Sequence, residues 1–243
     1  RELSTAENLS SFGIGVTVPQ DASADYLKDE EAVRREFARR TLANRTSPHA
    51  ALALHAALLA GTVPVVIGDN AFDLLGLYAS VVANGRLHWI PAGSSLLEPQ
   101  DLLGRFDTSL RRIVPHPAGL LDVIQDAKRT GRMHVVVLEG FNRAPVEAYL
   151  LPILEAAAAG RRGDSSRAIP LASAAVLSSD DPYREASKVL WPPSVLLACI
   201  PAHGTATLPV PLDAWRRLTV IDADDRERPA LPLPAEAPSG KPI

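Results

Sequence analysis

The sequence predicts an α/β fold built on a doubly wound parallel sheet, and three observations predict it. Short runs of continuously apolar residues, Val63–Ile67, 133–138 and 196–200, have the length of strands and lack the alternation of a sheet with one wet face. Segments with apolar residues at helical spacing lie between the runs and stop at Gly or Asn-Gly. The intervals are also long enough for the crossover helices that parallel pairing requires.

Taken in order, a polar opening gives way at 29–45 to a stretch rich in Glu, Arg and Ala that reads as a charged amphipathic helix. Ser47-Pro48 supplies the N-cap and first residue of a helix over 49–60, which Gly61 ends. The strand Val63–Ile67 follows, then a helix over 72–83 closed by Asn84-Gly85, a strand over 87–90, and a loop over 91–99 leading to Asp101-Leu-Leu-Gly104. Residues 118–130 form a helix stopped by Gly131, 133–138 a central strand, and 145–159 an Ala- and Leu-rich helix ending at Gly160. The stretch 161–192 mixes Arg, Gly, Ser and Asp and is expected to be a hairpin or insertion, and 196–200 is a further central strand. The division is therefore an N-terminal polar segment with a charged helix at 1–46, an α/β domain at 47–228, and a Pro-rich extended tail or linker at 229–243.

At 243 residues and 47% hydrophobic content, the chain can bury the core of one domain. A net charge of −3 and a pI near 6.1 give no long-range field to draw nucleic acid or an acidic membrane. The single cysteine, Cys199, lies in an apolar run, so it is expected to be a buried small hydrophobe in a reducing, cytoplasmic setting. No apolar run has the length of a membrane span, and the start, Arg1-Glu-Leu-Ser, lacks a signal-peptide pattern. It also lacks an initiator Met, which points to a segment of a longer protein. The six His residues show no metal-ligand spacing, and Ser94-Ser95 after Gly93 reads as a polar loop, not as a nucleophile elbow.

The first candidate site lies at residues 63–75, a strand and a helix start on either side of Gly68. A phosphate-binding loop G-x-x-x-x-G-K-[ST] needs a glycine turn, a lysine and a hydroxyl that holds Mg²⁺. Gly68 is present, but Asp73, Leu74 and Leu75 fall on the last three positions. Asp69 and Asp73 place carboxylates where a polyphosphate carries its own charge, a repulsion of about 1–4 kcal/mol each. The same carboxylates suit a helix N-terminus, so taken alone this segment reads as a plain strand and turn, and only the rest of the chain raises it.

Three further segments follow in order: Leu97-Glu-Pro-Gln-Asp-Leu-Leu-Gly104, Val135-Val-Val-Leu-Glu-Gly-Phe-Asn-Arg-Ala-Pro145, and Trp191-Pro-Pro-Ser-Val-Leu-Leu-Ala-Cys-Ile-Pro201. Together with residues 63–75 they resemble the AAA+ ATPases of the MoxR and McrB-like branch, over roughly residues 45–222. The resemblance implies a P-loop-NTPase-type sheet. Asn142-Arg143-Ala144 match the family pattern, whereas Glu139 takes the Mg²⁺-ligand position and Gly140 replaces the carboxylate that activates water. Pro201 stands in the place of the sensor-1 Asn, and Arg216 and Arg217 fall in the region that carries an arginine finger.

What the resemblance implies is a kept fold with lost chemistry. The expectations are no catalytic residues of its own, no metal and no ATP/Mg cofactor, because phosphoryl transfer has lost both nucleophile positioning and charge stabilisation. The role expected is structural or regulatory within a larger oligomeric assembly, with a second copy or an active AAA+ subunit as partner. Nucleic acid enters only through that assembly, as in a nucleic-acid-directed defence system, and no membrane is involved. Asn142 and Arg143 are inter-subunit candidates or simple helix caps, and Arg216 and Arg217 act on a neighbour or form a solvated face. Two alternatives remain: a non-hydrolysing nucleotide switch that uses Gly68 and Glu139, and an ATPase subunit whose catalytic groups come from a partner.

Overall fold

The computed structural model describes residues 35–37, 39–40, 46–204 and 207–224. The charged helix expected at 29–45 falls largely outside these, although 35–37 and 39–40 are helical, and the tail at 229–243 lies wholly outside.

Helix α1 (Pro48–Leu59) starts as its sequence dictates: the Ser47 hydroxyl accepts the Ala50 N–H at 3.2 Å and Pro48 fills the first turn. Strand β1 (Val63–Ile67), helix α2 (Ala71–Val82) and strand β2 (Leu87–Pro91) follow within a residue or so of expectation. Beyond them, after the loop expected at 91–99, the chain adds a short helix α3 (Gln100–Leu103) and an antiparallel hairpin, β3 (Gly104–Asp107) with β4 (Arg112–Pro115), in a stretch to which the sequence assigns no element. The Asp107 carboxylate closes its turn by accepting the N–H groups of Ser109 and Leu110.

Helix α4 (Leu120–Thr130) is capped by Gly131 as expected, and β5 (His134–Glu139) follows. The single helix expected over 145–159 is instead two, α5 (Val146–Tyr149) and α6 (Leu151–Arg161), broken at Leu150. Pro152 explains the break, since it brings no N–H to continue the ladder and is comfortable only in a first turn. Gly160 does not end α6. A Cβ there would lie 2.0 Å from the Trp191 carbonyl oxygen, so this glycine marks a close backbone approach inside the helix. The 161–192 stretch contains a minimal antiparallel pair, β6 (Ile169–Pro170) with β7 (Lys188–Val189), in keeping with a hairpin or insertion. Strand β8 (Val195–Ile200), the short helix α7 (Leu212–Trp215) and strand β9 (Leu218–Asp222) complete the described chain.

The central sheet has five parallel strands in the order β2-β5-β8-β1-β9. The three runs expected as neighbouring central strands are indeed adjacent. Because side chains alternate along a strand, Val135, Val137, Leu196, Ala198 and Ile200 pack with α1 and α2 on one face. Val136, Leu138, Leu197 and Cys199 pack with α4 and α6 on the other. Covering both faces is what continuous apolar strands require. This is the doubly wound arrangement shared by Rossmann-like and P-loop-type domains. Among the described residues, no helix is long and apolar enough to cross a membrane.

Candidate functional site at the carboxyl edge of the sheet

Parallel strands end at a common edge, and in open α/β sheets the crevice at that edge is where ligands bind. Here the carboxyl ends of β1, β5 and β8 enclose a cavity of about 270 Å³. Its walls are Gly68 after β1, Glu139 and Gly140 at the end of β5, Pro201 after β8, and Arg143, Phe72 and His203 around the mouth. Five positions singled out in the sequence, Gly68, Glu139, Gly140, Arg143 and Pro201, are thus brought together although they lie on three strand ends.

The turn after β1 is short. Strand β1 ends at Ile67 and α2 begins at Ala71, which leaves only Gly68, Asp69 and Asn70 between them. A phosphate-cradling loop needs four variable residues between its first glycine and the Gly-Lys pair. The free N–H groups of this turn are already engaged: the Asp224 carboxylate accepts from Asp69 N at 2.7 Å, Asn70 N at 3.1 Å and Asn70 Nδ2 at 2.5 Å. Asp224 is itself held by its own N–H donating to Asp222 at 2.9 Å, and the Ala223 N–H donates to Ile67 O at 2.9 Å. Gly68, at φ +100°, lies beneath this carboxylate, and a Cβ would come 2.5 Å from Asp224 Oδ2. A side-chain anion therefore sits where two backbone N–H groups and a helix N-terminus would attract a free one.

The short turn also alters the register of the phosphate-loop comparison. Asp73 lies exposed in the first turn of α2, while Leu74 and Leu75 are fully buried against the α1 side of the sheet. They do not face the cavity; Ala71 and Phe72 do. Asp69 is exposed beside the cavity.

The turn after β5 explains two more positions. The Gly140 N–H donates to Ile200 O at 2.7 Å, and at φ +70° the missing side chain leaves room for Arg143, whose Nε would lie 3.0 Å from a Cβ. Asn142 uses its side-chain oxygen to accept the Ala202 N–H at 2.7 Å, and its carbonyl accepts Leu208 N at 2.7 Å. Asn142 thereby ties the loop after β8 to the loop after β5, a bond within the chain, and Arg143 is left exposed.

Arg216 and Arg217 are not part of this cavity. They precede β9 at the amino edge of the sheet, where Val63 N donates to Arg217 O at 2.9 Å. A five-residue strand separates the two edges by about 15 Å. Arg217 pairs with Glu155 at 2.9 Å and also donates to Asp213 O, whereas Arg216 is largely exposed, with Asp213 3.6 Å away.

Sequence spacing missed the chemistry that long-range pairing creates. Asp224 meets residues 69 and 70 only because β9 pairs with β1. A second case is His88 on β2, whose Nε2 lies 3.0 Å from His134 Nδ1 on β5, with Asp126 Oδ2 3.1 Å from the far nitrogen of His134. Burial, then the His134 and Arg86 charges, push His88 down to about 4, and burial also lowers His134 against the pull of Asp126. Among the described residues, no group of three or more His, Cys, Asp or Glu side chains is placed to hold a metal. Compared with known proteins, the sequence matches no family model and no curated protein.

Proposed function

We propose that this chain is an AAA+-like domain without nucleotide chemistry of its own, serving as a structural or regulatory module in a larger assembly. The observation that carries the reading is the Asp224 carboxylate on the N–H groups of Asp69 and Asn70, which uses the donors a phosphate would need. Three features support it: the three-residue turn, the core positions of Leu74 and Leu75, and the proline at position 201 beside Glu139. A triphosphate brought to this edge would meet Glu139, Asp69, Asp222 and Asp224, with Arg143 as the fixed cation at the wall.

In this reading the domain contributes surfaces. Its partner is a second copy or a catalytically intact AAA+ subunit, and Arg216 is an exposed cation at the opposite edge, held only by the equally exposed Asp213 at 3.6 Å, that would reach it. The nucleic-acid-directed defence setting belongs to the same proposal, through the assembly and not through direct contact. Calorimetric titration with ATP and Mg²⁺ tests the central point. No heat of binding is expected up to millimolar nucleotide, and a micromolar Kd that depends on Mg²⁺ would overturn it in favour of a nucleotide-binding switch.

A further inference from the structure

The central sheet has two outer strands, β2 and β9, and their free edges differ. In β2 the even-numbered residues turn toward β5, since Val135 N donates to Arg86 O at 2.9 Å and Ala92 N to Glu139 O at 2.8 Å. That leaves Leu87, Trp89 and Pro91 facing outward. Leu87 commits its N–H to Gly85 O at 2.9 Å and Pro91 has none, so of the three only Trp89 has a donor to offer. Strand β9 is open. Val63 N donates to Arg217 O and Ala223 N to Ile67 O, both at 2.9 Å, so its odd-numbered neighbours face β1 while Leu218, Val220 and Asp222 direct N–H and C=O outward. Among the described residues, none of these outward main-chain groups has a partner.

Neither proline, nor lysine, nor a bulge blunts β9, and these are the devices that keep an edge from pairing. Val220 is half-exposed on it, and Leu212 and Trp215, one turn apart on α7, are further exposed apolar side chains just before it. The ends of the strand carry opposite charge: Arg216 stands exposed before it and Asp222 exposed at its last position. A strand laid along this edge must therefore bring an acid toward Arg216 and a base toward Asp222. Strand β9 itself, run antiparallel, meets both conditions, whereas a parallel copy would set like charges together.

We propose that β9 pairs with β9 of a second copy of this chain, antiparallel about a twofold axis at Val220, so that one sheet runs through both copies. Leu218 of each copy then lies opposite Asp222 of the other, Val220 lies opposite Val220, and every outward N–H meets an outward C=O. Leu218, Val220 and Asp222 share the face that carries the α4 and α6 core, so the two Val220 side chains adjoin and cover one another. Arg216 of each copy reaches the Asp222 end of the other. Two five-residue strands bury less than a standard interface, which sets the dissociation constant at about 10–100 μM. The pairing deepens the reading of an assembly module and rests on it for a biological role. Dimerisation and nucleotide binding are separate readouts, so either reading can fail alone.

Analytical ultracentrifugation of the whole chain tests this. A reversible monomer–dimer equilibrium is expected, with hydrogen exchange at the Val220 amide slowing as the dimer fills. Val220→Lys sets two like charges at the twofold axis and should weaken the dimer by about tenfold or more, with an unchanged circular dichroism spectrum. Val220→Pro removes an outward N–H that β1 does not use and should act in the same way. Leu110→Lys, at an exposed apolar position between β3 and β4, should leave the dimer unchanged. Val220→Cys should join two copies through a short bis-maleimide faster than Leu110→Cys does, and the buried Cys199 does not compete. The proposal is overturned if the chain stays monomeric at about 300 μM, if Val220→Lys and Val220→Pro dimerise as tightly as the parent, if Leu110→Lys weakens the dimer equally, or if Val220→Cys links no faster than Leu110→Cys. A monomeric chain with a slowly exchanging Val220 amide would assign the edge to another segment of the same chain and overturn it as well.

Discussion

The Asp224 carboxylate holds the Asp69 N–H at 2.7 Å across a separation of 155 residues, joining the last described turn of the chain to the first turn of the sheet's carboxyl edge. The contact acts as a helix N-cap supplied from outside the helix. Asn70, the local cap residue, makes no capping bond of its own with its side chain and instead donates to Asp224.

Removing that carboxylate should therefore behave like removing a cap. Asp224→Ala is expected to cost about 1–2 kcal/mol in urea unfolding, with Asp224→Asn intermediate because its amide oxygen can still accept. Equal stability of Asp224→Ala and the parent would show that water serves the turn as well.

Two glycines in helices should respond oppositely to alanine. At Gly160 the new Cβ would collide with a backbone oxygen 2.0 Å away, so Gly160→Ala should cost about 3 kcal/mol or more despite the better helix propensity. At Gly76 in α2, an added Cβ meets nothing within 4 Å, and Gly76→Ala should stabilise by about 0.5–1 kcal/mol. Thermal unfolding of the two variants checks both signs.

The His88–His134 pair makes stability depend on pH. Both folded-state pKa values lie below the unfolded value of 6.5, His88 at about 4, so the folded state prefers neutral imidazoles. Their stability contribution is fully present above pH 6.5 and is lost as pH falls from there toward 4. Asp126 faces His134 and opposes the loss, while Arg86 and Arg132 reinforce it. The loss attributable to His88 should approach about 3 kcal/mol near pH 4. His88→Gln should flatten the pH profile of the urea midpoint between pH 6.5 and 4.5, and an unchanged slope would refute the assignment.

The two arginines before β9 should separate by role. Arg217→Ala leaves Glu155 with only its longer pair to Arg167 at 3.4 Å and should cost about 0.5–1 kcal/mol, whereas Arg216→Ala should change stability by less than about 0.5 kcal/mol. If a catalytically intact AAA+ partner is supplied, Arg216→Ala should lower its ATPase rate without altering the fold of this chain, as read by circular dichroism.

What could be read from the sequence was whatever local pattern determines. Continuous apolar runs gave β1, β5 and β8, and Ser47-Pro48 and Gly131 marked helix ends, because propensity, capping and burial act over a few residues. Strand β9 has no counterpart among the expected elements although Thr219, Val220 and Ile221 are β-branched, because the segment lacks the continuous apolar run that marks β1, β5 and β8. Gly160 is ambiguous in the sequence because a helix stop and a close backbone approach use the same residue, and only the distant Trp191 distinguishes them. At the candidate site, residue identities at 68, 139, 140, 143 and 201 were visible, and the sheet brought them together. The length of the turn was not, so Leu74 and Leu75 were set opposite a ligand when their side chains fill the core.

The strand order carries a consequence for synthesis from the ribosome. Strand β1 is made first of the five, yet its neighbours β8 and β9 are made fourth and fifth in the central sheet. Until they emerge, Val63–Ile67 has both edges unpaired, while β2 and β5, adjacent to each other, can already join. A nascent chain stopped before residue 195 would thus present a five-residue apolar strand with two open edges. The segment that completes the central sheet is the one that carries Asp224, so pairing of the oldest strand and closure of its turn arrive together in vectorial synthesis.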